Sequence, residues 1–451
     1  MKEFSFYLIT DTHYFENSLG AYGKEYDEFM RYEQKCFAET QSINESVFSW
    51  LEKADEADTV LIAGDLSFNG EKESHKGFVK LLDKLQESGK KVYVITADHD
   101  FKEHPFAFND TGRIEPEGTK REELFDIYNS FGFGDAIAVD RQHLSYVAQL
   151  CDGVRLLALN NDGSNDGRRR FDEEHIEWIK HQAAQAKADG QTMIAMNHFP
   201  ILPCQPIFGL IGSTMQKESA KAATLLADAD VHIVFTGHMH QQSINEYVTA
   251  NGNKLYDVCT GSIIADPAII RLVTVKDENT VEIKSIPTPD FDWDTKGKTC
   301  KQYLQDTFDA MISNTLTDMK EEPKRILRKF GVKQTPVLMF AVRQAGKLLN
   351  SIKLGTLCRL LFVKCDKSIR QMKLKAFAVE LVRNVFEGNQ PMVEGTPKGD
   401  AFVAFLKRIK PILNKIDAKN FDGTKADLFD LLKNTAGNYD IDDYHAVLKL
   451  K

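Results

Sequence analysis

Five short segments of this 451-residue chain place acids and histidines where they could hold metal ions: Asp11-Thr12-His13, Gly64-Asp65, Asp98-His99-Asp100, Asn197-His198 and Gly237-His238-Met239-His240. In the D-x-H and H-x-H pairs, alternate residues of extended backbone lie on the same side, so both side chains can converge on one point. Mixed imidazole and carboxylate ligands suit Mn, Fe, Zn or Ni and disfavour calcium. Two such ions held close together can share an attacking hydroxide, stabilise a phosphoryl transition state and hold the leaving oxygen. Each segment alone is a weak signal, because a lone D-x-H is common and a buried histidine is more often a satisfied core residue. The order of the set is the strong signal.

Each segment directly follows an apolar run: 6–9, 60–63, 92–95, 193–196 and 231–235, all short and rich in β-formers. Strand C-termini of an open α/β sheet face a shared crevice, which is where sites assemble. Helical spacing occupies 71–87 and 172–187, and Asp172-Glu173-Glu174 suits a helix N-terminus. Further strands are expected at 154–159, 254–258, 269–275 and 280–286, the last three without long helices between them. This pattern predicts an α/β fold with two packed sheets flanked by helices. The prolines and acids of 287–294 read as a linker. Beyond it, apolar residues recur at three and four over 335–349, 355–363, 368–386 and 402–413, which predicts an all-α C-terminal helical domain. The expected domains are 1–290 and 295–451.

The formal net charge of -9 argues against a nucleic-acid partner, since duplex binding needs many Lys and Arg contacts. Between 295 and 420, however, Lys plus Arg outnumber Asp plus Glu by roughly two to one. That excess reads either as a solvated face or as a border that concentrates an anionic substrate. No apolar run is long enough to span a membrane. The N-terminal run leads into Thr10-Asp11-Thr12-His13 and not into a small-residue cleavage site, so it reads as a first strand. Seven scattered cysteines, none in C-x-x-C form, suggest a reducing compartment and a cytoplasmic location.

The ordered set D-x-H, G-D, x-x-H-D, H, G-H-x-H resembles the calcineurin-like metallophosphoesterase superfamily over residues 4–286. The resemblance implies two metal ions. Asp11, His13, Asp65 and His240 would hold the first, and Asp98, His198 and His238 the second, with Asp65 bridging. It implies that His99 assists the leaving group as a bridging hydroxide attacks phosphorus, and that Asp100 orients the His99 imidazole. One departure stands out: the family's G-N-H-D is Ala97-Asp98-His99-Asp100 here. A carboxylate in place of the neutral Asn oxygen should hold cations more tightly but weaken their Lewis acidity and their pull on an anionic phosphate. A slower enzyme, a different metal choice and an inactive metal-holding module all stay open.

The phrase 64–75 and two later segments, Leu354-Gly355-Thr356-Leu357 and Phe386-Glu387-Gly388-Asn389, look like a branch of cyclic-nucleotide-type phosphodiesterases with an extra helical domain. That implies a small phosphodiester substrate such as a 3′,5′-cyclic nucleotide, with phosphomonoesterase and nuclease as the alternatives. Arg168-Arg169-Arg170 is either a phosphate clamp or, more readily, a solvated loop cluster. His75 reads as a surface residue of an amphipathic helix. His104 could approach the crevice but reads more readily as lying outside it. The segment 200–208 has the character of a pocket wall or of an ordinary packed loop. His143, His175, His181, His232 and His445 show no ligand spacing.

Overall fold

The computed structural model describes residues 2–163, 169–211, 214–329, 333–389, 392–437 and 441–451. Its strands, in chain order, are β1 (Phe4–Ile9), β2 (Thr59–Ala63), β3 (Lys91–Ile95), β4 (Ala107–Asn109), β5 (Gly112–Ile114), β6 (Ala138–Asp140), β7 (Ser145–Cys151), β8 (Val154–Ala158), β9 (Thr192–Met196), β10 (Val231–Thr236), β11 (Ser243–Val248), β12 (Lys254–Cys259), β13 (Ile269–Asp277), β14 (Thr280–Pro287) and β15 (His445–Lys449).

One sheet runs β15-β14-β13-β1-β2-β3 and the other β11-β12-β10-β9-β8-β7-β6. The centres are parallel: β1 with β2, β2 with β3, β8 with β9, and β10 with both β9 and β12. These central strands are near-continuous apolar runs because both faces are covered; all five residues of β2 are buried. Phe6, Ile62, Val94, Ile194 and Phe235 share one core between the sheets. The Phe6 and Phe235 rings meet edge to face across it, with centroids 5.4 Å apart. Helices Lys72–Glu87 and Glu173–Ala188 lie where the 3.6-residue spacing predicts them.

The helical region begins with Cys300–Glu321 and includes Pro336–Ser351, Leu354–Leu360, Leu374–Glu387 and Pro397–Leu413. It does not end as helix. The chain returns as β15, antiparallel to β14 at the edge of the first sheet. The Phe386-Glu387-Gly388-Asn389 phrase makes the accompanying clasp. Phe386 O accepts from Gln242 N at 2.9 Å, and Asn389 exchanges 2.7 Å hydrogen bonds with Asp443. Gly388 sits at φ 79°, where a Cβ would come within 2.7 Å of Gln242 O. The helical region therefore grips the chain two residues beyond His240.

Arg271 stands at the middle of this joint. It is fully buried and donates to Thr260 Oγ1 and Cys259 O from β12 and its exit, to Gln242 Oε1, to Ser285 Oγ on β14 and to Asp443 O. Arg271→Met should destabilise the chain by about 3–5 kcal/mol, because five acceptors lose their donor inside the protein. Denaturant unfolding measures this. A change below about 1 kcal/mol would mean that water replaces the guanidinium.

Candidate metal centre

The ligand-bearing loops leave the C-terminal ends of β1, β2 and β3 in one sheet and β9 and β10 in the other. Backbone hydrogen bonds sew them together: Asp11 N to Gly64 O (3.1 Å), His13 N to Asp65 O (2.9 Å), Asn197 N to Phe235 O (3.0 Å) and Gly237 N to His198 O (3.0 Å). The approach is close enough to exclude side chains. A Cβ on Gly237 would stand 2.0 Å from Thr10 Oγ1 and 2.4 Å from Asp11 Oδ2, and one on Gly64 (φ 88°) 2.7 Å from His198 Nδ1. Gly237→Ala should therefore displace Asp11. The expected result is a stability loss of about 1–3 kcal/mol together with a fall in bound metal, read by thermal melts and elemental analysis.

Asp11, His13, Asp65, His238 and His240 all have positive φ, between 38° and 66°. Such backbone costs on the order of 1 kcal/mol or more per residue and persists where surrounding contacts over-determine it, typically at functional sites. Here it aims the side chains inward. Thr10 Oγ1 donates to Asp11 Oδ2 at 2.7 Å, and His238 N donates to both Asp11 oxygens at 3.2 and 3.0 Å.

The side chains gather in two groups, Asp11–His13–His240 and Asp65–Asp98–His198–His238; within each, one potential ligand atom per residue lies within 4.8 Å of the others. Asp65 Oδ2 stands 3.1 Å from His198 Nε2 and 3.6 Å from His13 Nε2, between the groups. His240 Nε2 is 3.2 Å from Asp11 Oδ1 and 3.1 Å from His13 Nε2. His198 Nδ1 donates to Ala63 O at 2.8 Å, which turns Nε2 toward the carboxylates. That Nε2 and Asp98 Oδ1 are buried without hydrogen-bond partners. Two imidazole nitrogens facing each other among carboxylates call for positive charge between them, so these residues fit a pair of metal ions. The electrostatics agree. Burial opposes charge on His198, but the Asp65 and Asp11 carboxylates outweigh it and push its pKa up to about 10. Burial also opposes ionisation of Asp65, yet His198 and His99 hold it well below the usual carboxylate range.

His99 is half-buried at the mouth of the site. Its Nδ1 donates to Phe68 O at 2.7 Å, its backbone N donates to Asp65 Oδ1 at 3.2 Å, and its ring meets that of His13 edge to face at 4.8 Å. The expected orienting contact from Asp100 is not made. Asp100 is fully buried and accepts from Leu66 N, Ser67 N and Ala97 N, each at 2.8 Å, so it splices the loops after β2 and β3. Backbone donors out-compete the imidazole because the carboxylate lies beneath the loop. His75 also departs from its expected surface position. It is buried, bonded to Tyr128 OH at 2.6 Å and to Asp100 O at 2.8 Å, and burial lowers its pKa to about 4.

Asp98 and His238 are half-buried and edge the mouth. Asp98 Oδ2 forms an ion pair with the Arg169 guanidinium, which lies 4.5 Å over the Phe199 ring. Phe199 in turn packs on His238, with ring centroids 4.7 Å apart. Arg168 lies outside the described residues. His104 pairs with Glu115 on the surface and does not enter the site. His143 and His175 lie near Asp140, but their rings stack parallel at 4.3 Å, so their in-plane lone pairs cannot meet on one ion. Sequence reasoning overlooked Lys35, which carries no motif and comes from the loop before helix Thr40–Lys53.

The family model for calcineurin-like phosphoesterases matches residues 4–242, more than half of the chain. No curated protein matches the sequence. Among solved structures, the chain is similar to a dimetal phosphatase from Danio rerio, at 12% identity and a TM-score of 0.44 over 63% of this chain and 96% of that one. It is also similar to a purple acid phosphatase from yellow lupin (Lupinus luteus) seeds, at 15% and 0.41 over 64% of this chain and 52% of that one. A 5′-nucleotidase precursor from Thermus thermophilus shares 11% identity, with a TM-score of 0.36 over 70% of this chain and 60% of that one.

Proposed function

Because the chain belongs to the calcineurin-like phosphoesterase family, we propose that it hydrolyses small phosphodiesters, with 3′,5′-cyclic nucleotides as the first class to test. The reading assigns Asp11, His13, Asp65 and His240 to one metal ion and Asp65, Asp98, His198 and His238 to the other. When bound, such ions supply Lewis acidity toward the phosphoryl oxygens and lower the pKa of an attacking water. The protein's own residues do the rest. Asp65 belongs to the second group and stands 3.6 Å from His13 Nε2 of the first, and His198 is locked by Ala63 O with Nε2 inward. His99 donates from Nδ1 to Phe68 O and presents Nε2 at the mouth; in its imidazolium form it hands the Nε2 proton to the leaving oxygen and returns to the neutral Nδ1–H tautomer. The observation that carries this reading is the half-buried His99 beside two ligand groups, with the Asp65 carboxylate standing between them at 3.1 Å from His198 Nε2 and 3.6 Å from His13 Nε2.

The diester preference draws support from Asp98. A carboxylate where the family carries Asn removes positive charge from the face that meets phosphate. A dianionic monoester loses more attraction from that change than a monoanionic diester does. Arg169 balances the carboxylate, which keeps the site workable and weighs against a disabled metal-holding module. Arg169→Ala should therefore lower kcat/KM about tenfold in the wild-type background and have little effect in Asp98→Asn, a coupling of about 1–1.5 kcal/mol. Equal losses in both backgrounds would dissociate the two residues.

The seven free cysteines suit the reducing cytoplasm, and no helix among the described residues is long and apolar enough to cross a membrane. The deciding assay compares bis-p-nitrophenyl phosphate with p-nitrophenyl phosphate, using metal-stripped protein refilled with Mn, Fe, Zn or Ni in turn. Metal-dependent cleavage that favours the diester is the expected result. Preference for the monoester would make the chain a phosphomonoesterase. Two bound ions with no turnover would return the inactive module.

A further inference from the structure

Lys35 is 7% exposed, and among the described residues its ammonium forms no ion pair and no hydrogen bond; the carboxylate that feels its charge is the buried Glu71. Its backbone is anchored on both sides, by Lys35 N to Glu33 Oε1 (3.2 Å) and Cys36 N to Ile264 O (3.2 Å). The ammonium lies 4.6 Å from the centroid of the Phe68 ring. Phe37 stacks on that ring at 3.9 Å and 7°, so the ammonium must occupy the opposite face. Phe68 is also the residue whose carbonyl holds His99, and its ring stands 6.1 Å from that of His13. Through Phe68 the ammonium therefore stands on the side of the site that carries His13 and His99.

Holding a charge in a mostly covered position without an ion pair is costly, and the aromatic face offsets only part of the cost. Glu71, a buried acid whose Oε1 lacks a hydrogen-bond partner, feels the Lys35 charge at a distance but forms no ion pair with it. The contrast with Arg169 is informative. Arg169 spends its guanidinium on Asp98 at one edge of the site, whereas Lys35 keeps its charge unspent at the other.

We propose that Lys35 is a substrate-recognition residue whose ammonium takes an anionic phosphoryl oxygen on the His13–His99 side of the site. This rests on the phosphoester reading above, and the partner that completes the lysine is the phosphate itself. An ammonium can follow a phosphate as a flexible point charge, which suits a group that must release product.

The test uses metal-loaded, full-length protein with inorganic phosphate as the probe, titrated calorimetrically for wild type, Lys35→Met and Lys35→Arg. Lys35→Met should weaken phosphate binding roughly 10–100-fold, and Lys35→Arg should restore much of it. Metal content should stay unchanged, and thermal stability should be equal or higher because an unpaired buried charge has gone. On a turned-over ester, KM should rise with kcat nearly constant. Unchanged phosphate affinity would overturn the proposal, as would a stability loss in Lys35→Met with no change in phosphate binding. Phosphate binding is read without turnover. A wild type that cleaves no diester but binds phosphate through Lys35 would sink the diester reading and leave this one standing.

Discussion

Asp65→Asn should give a protein that folds but loses metal and nearly all turnover. Asp65 is buried, stands 3.1 Å from His198 Nε2 and 3.6 Å from His13 Nε2, and is the carboxylate nearest to being common to both ligand groups. Asparagine keeps the shape, and its carbonyl can still accept from His99 N, so the backbone has no reason to move. What disappears is one negative charge between two cations. A loss of roughly 4 kcal/mol in transition-state stabilisation corresponds to about a thousandfold in kcat/KM. Elemental analysis should show the metal content dropping from two ions per chain toward one or none. Full metal occupancy with ordinary turnover would show that Asp65 is not shared, and the assignment of both groups would need redrawing.

His99→Ala should separate proton donation from metal binding. The side chain reaches neither ligand group through a lone pair; Nδ1 is committed to Phe68 O and Nε2 faces the mouth. General acid catalysis contributes roughly 10²–10⁴-fold, so hydrolysis of a cyclic nucleotide or alkyl diester should fall by about that factor. A p-nitrophenolate leaving group scarcely needs protonation, and its hydrolysis should suffer much less. Metal content should match wild type. Equal losses on good and poor leaving groups would remove His99 from the proton-transfer role. Loss of metal would make it a ligand instead.

The sequence pattern identified the loops because their chemistry is local. Asp11, Asp65, Asp98, His198 and His238 each sit within three residues of the end of a short apolar strand, and strand ends have little freedom in where they point. The same locality explains the misreadings. Asp100 follows His99 directly, which invites an orienting role, but backbone N–H groups from a loop 33 and 34 residues away claim its oxygens. His75 lies on an amphipathic helix whose covered face is wider than the apolar spacing implies, because Tyr128 and Asp100 O supply it with buried partners. Strand β7 escapes a periodicity reading, although Asp152-Gly153 between β7 and β8, with Gly153 at φ 92°, is the two-residue hairpin signal that marks it.

By itself, then, the sequence determined the ligand types, their order and the sheet edges that carry them, since residue chemistry and strand periodicity are written over a few neighbouring positions. Tertiary structure alone decided how the charges around that site are balanced. Arg169 meets Asp98 across 71 residues, and Lys35 comes to rest on Phe68 beside His13 and His99 without an ion pair. Gln242, two residues past His240, is held by Phe386 from the helical region. Such contacts exist only once two sheets and a helical region have closed on one another. No spacing along the chain encodes them, because the pairing of distant side chains depends on where whole elements pack and not on the residues beside them.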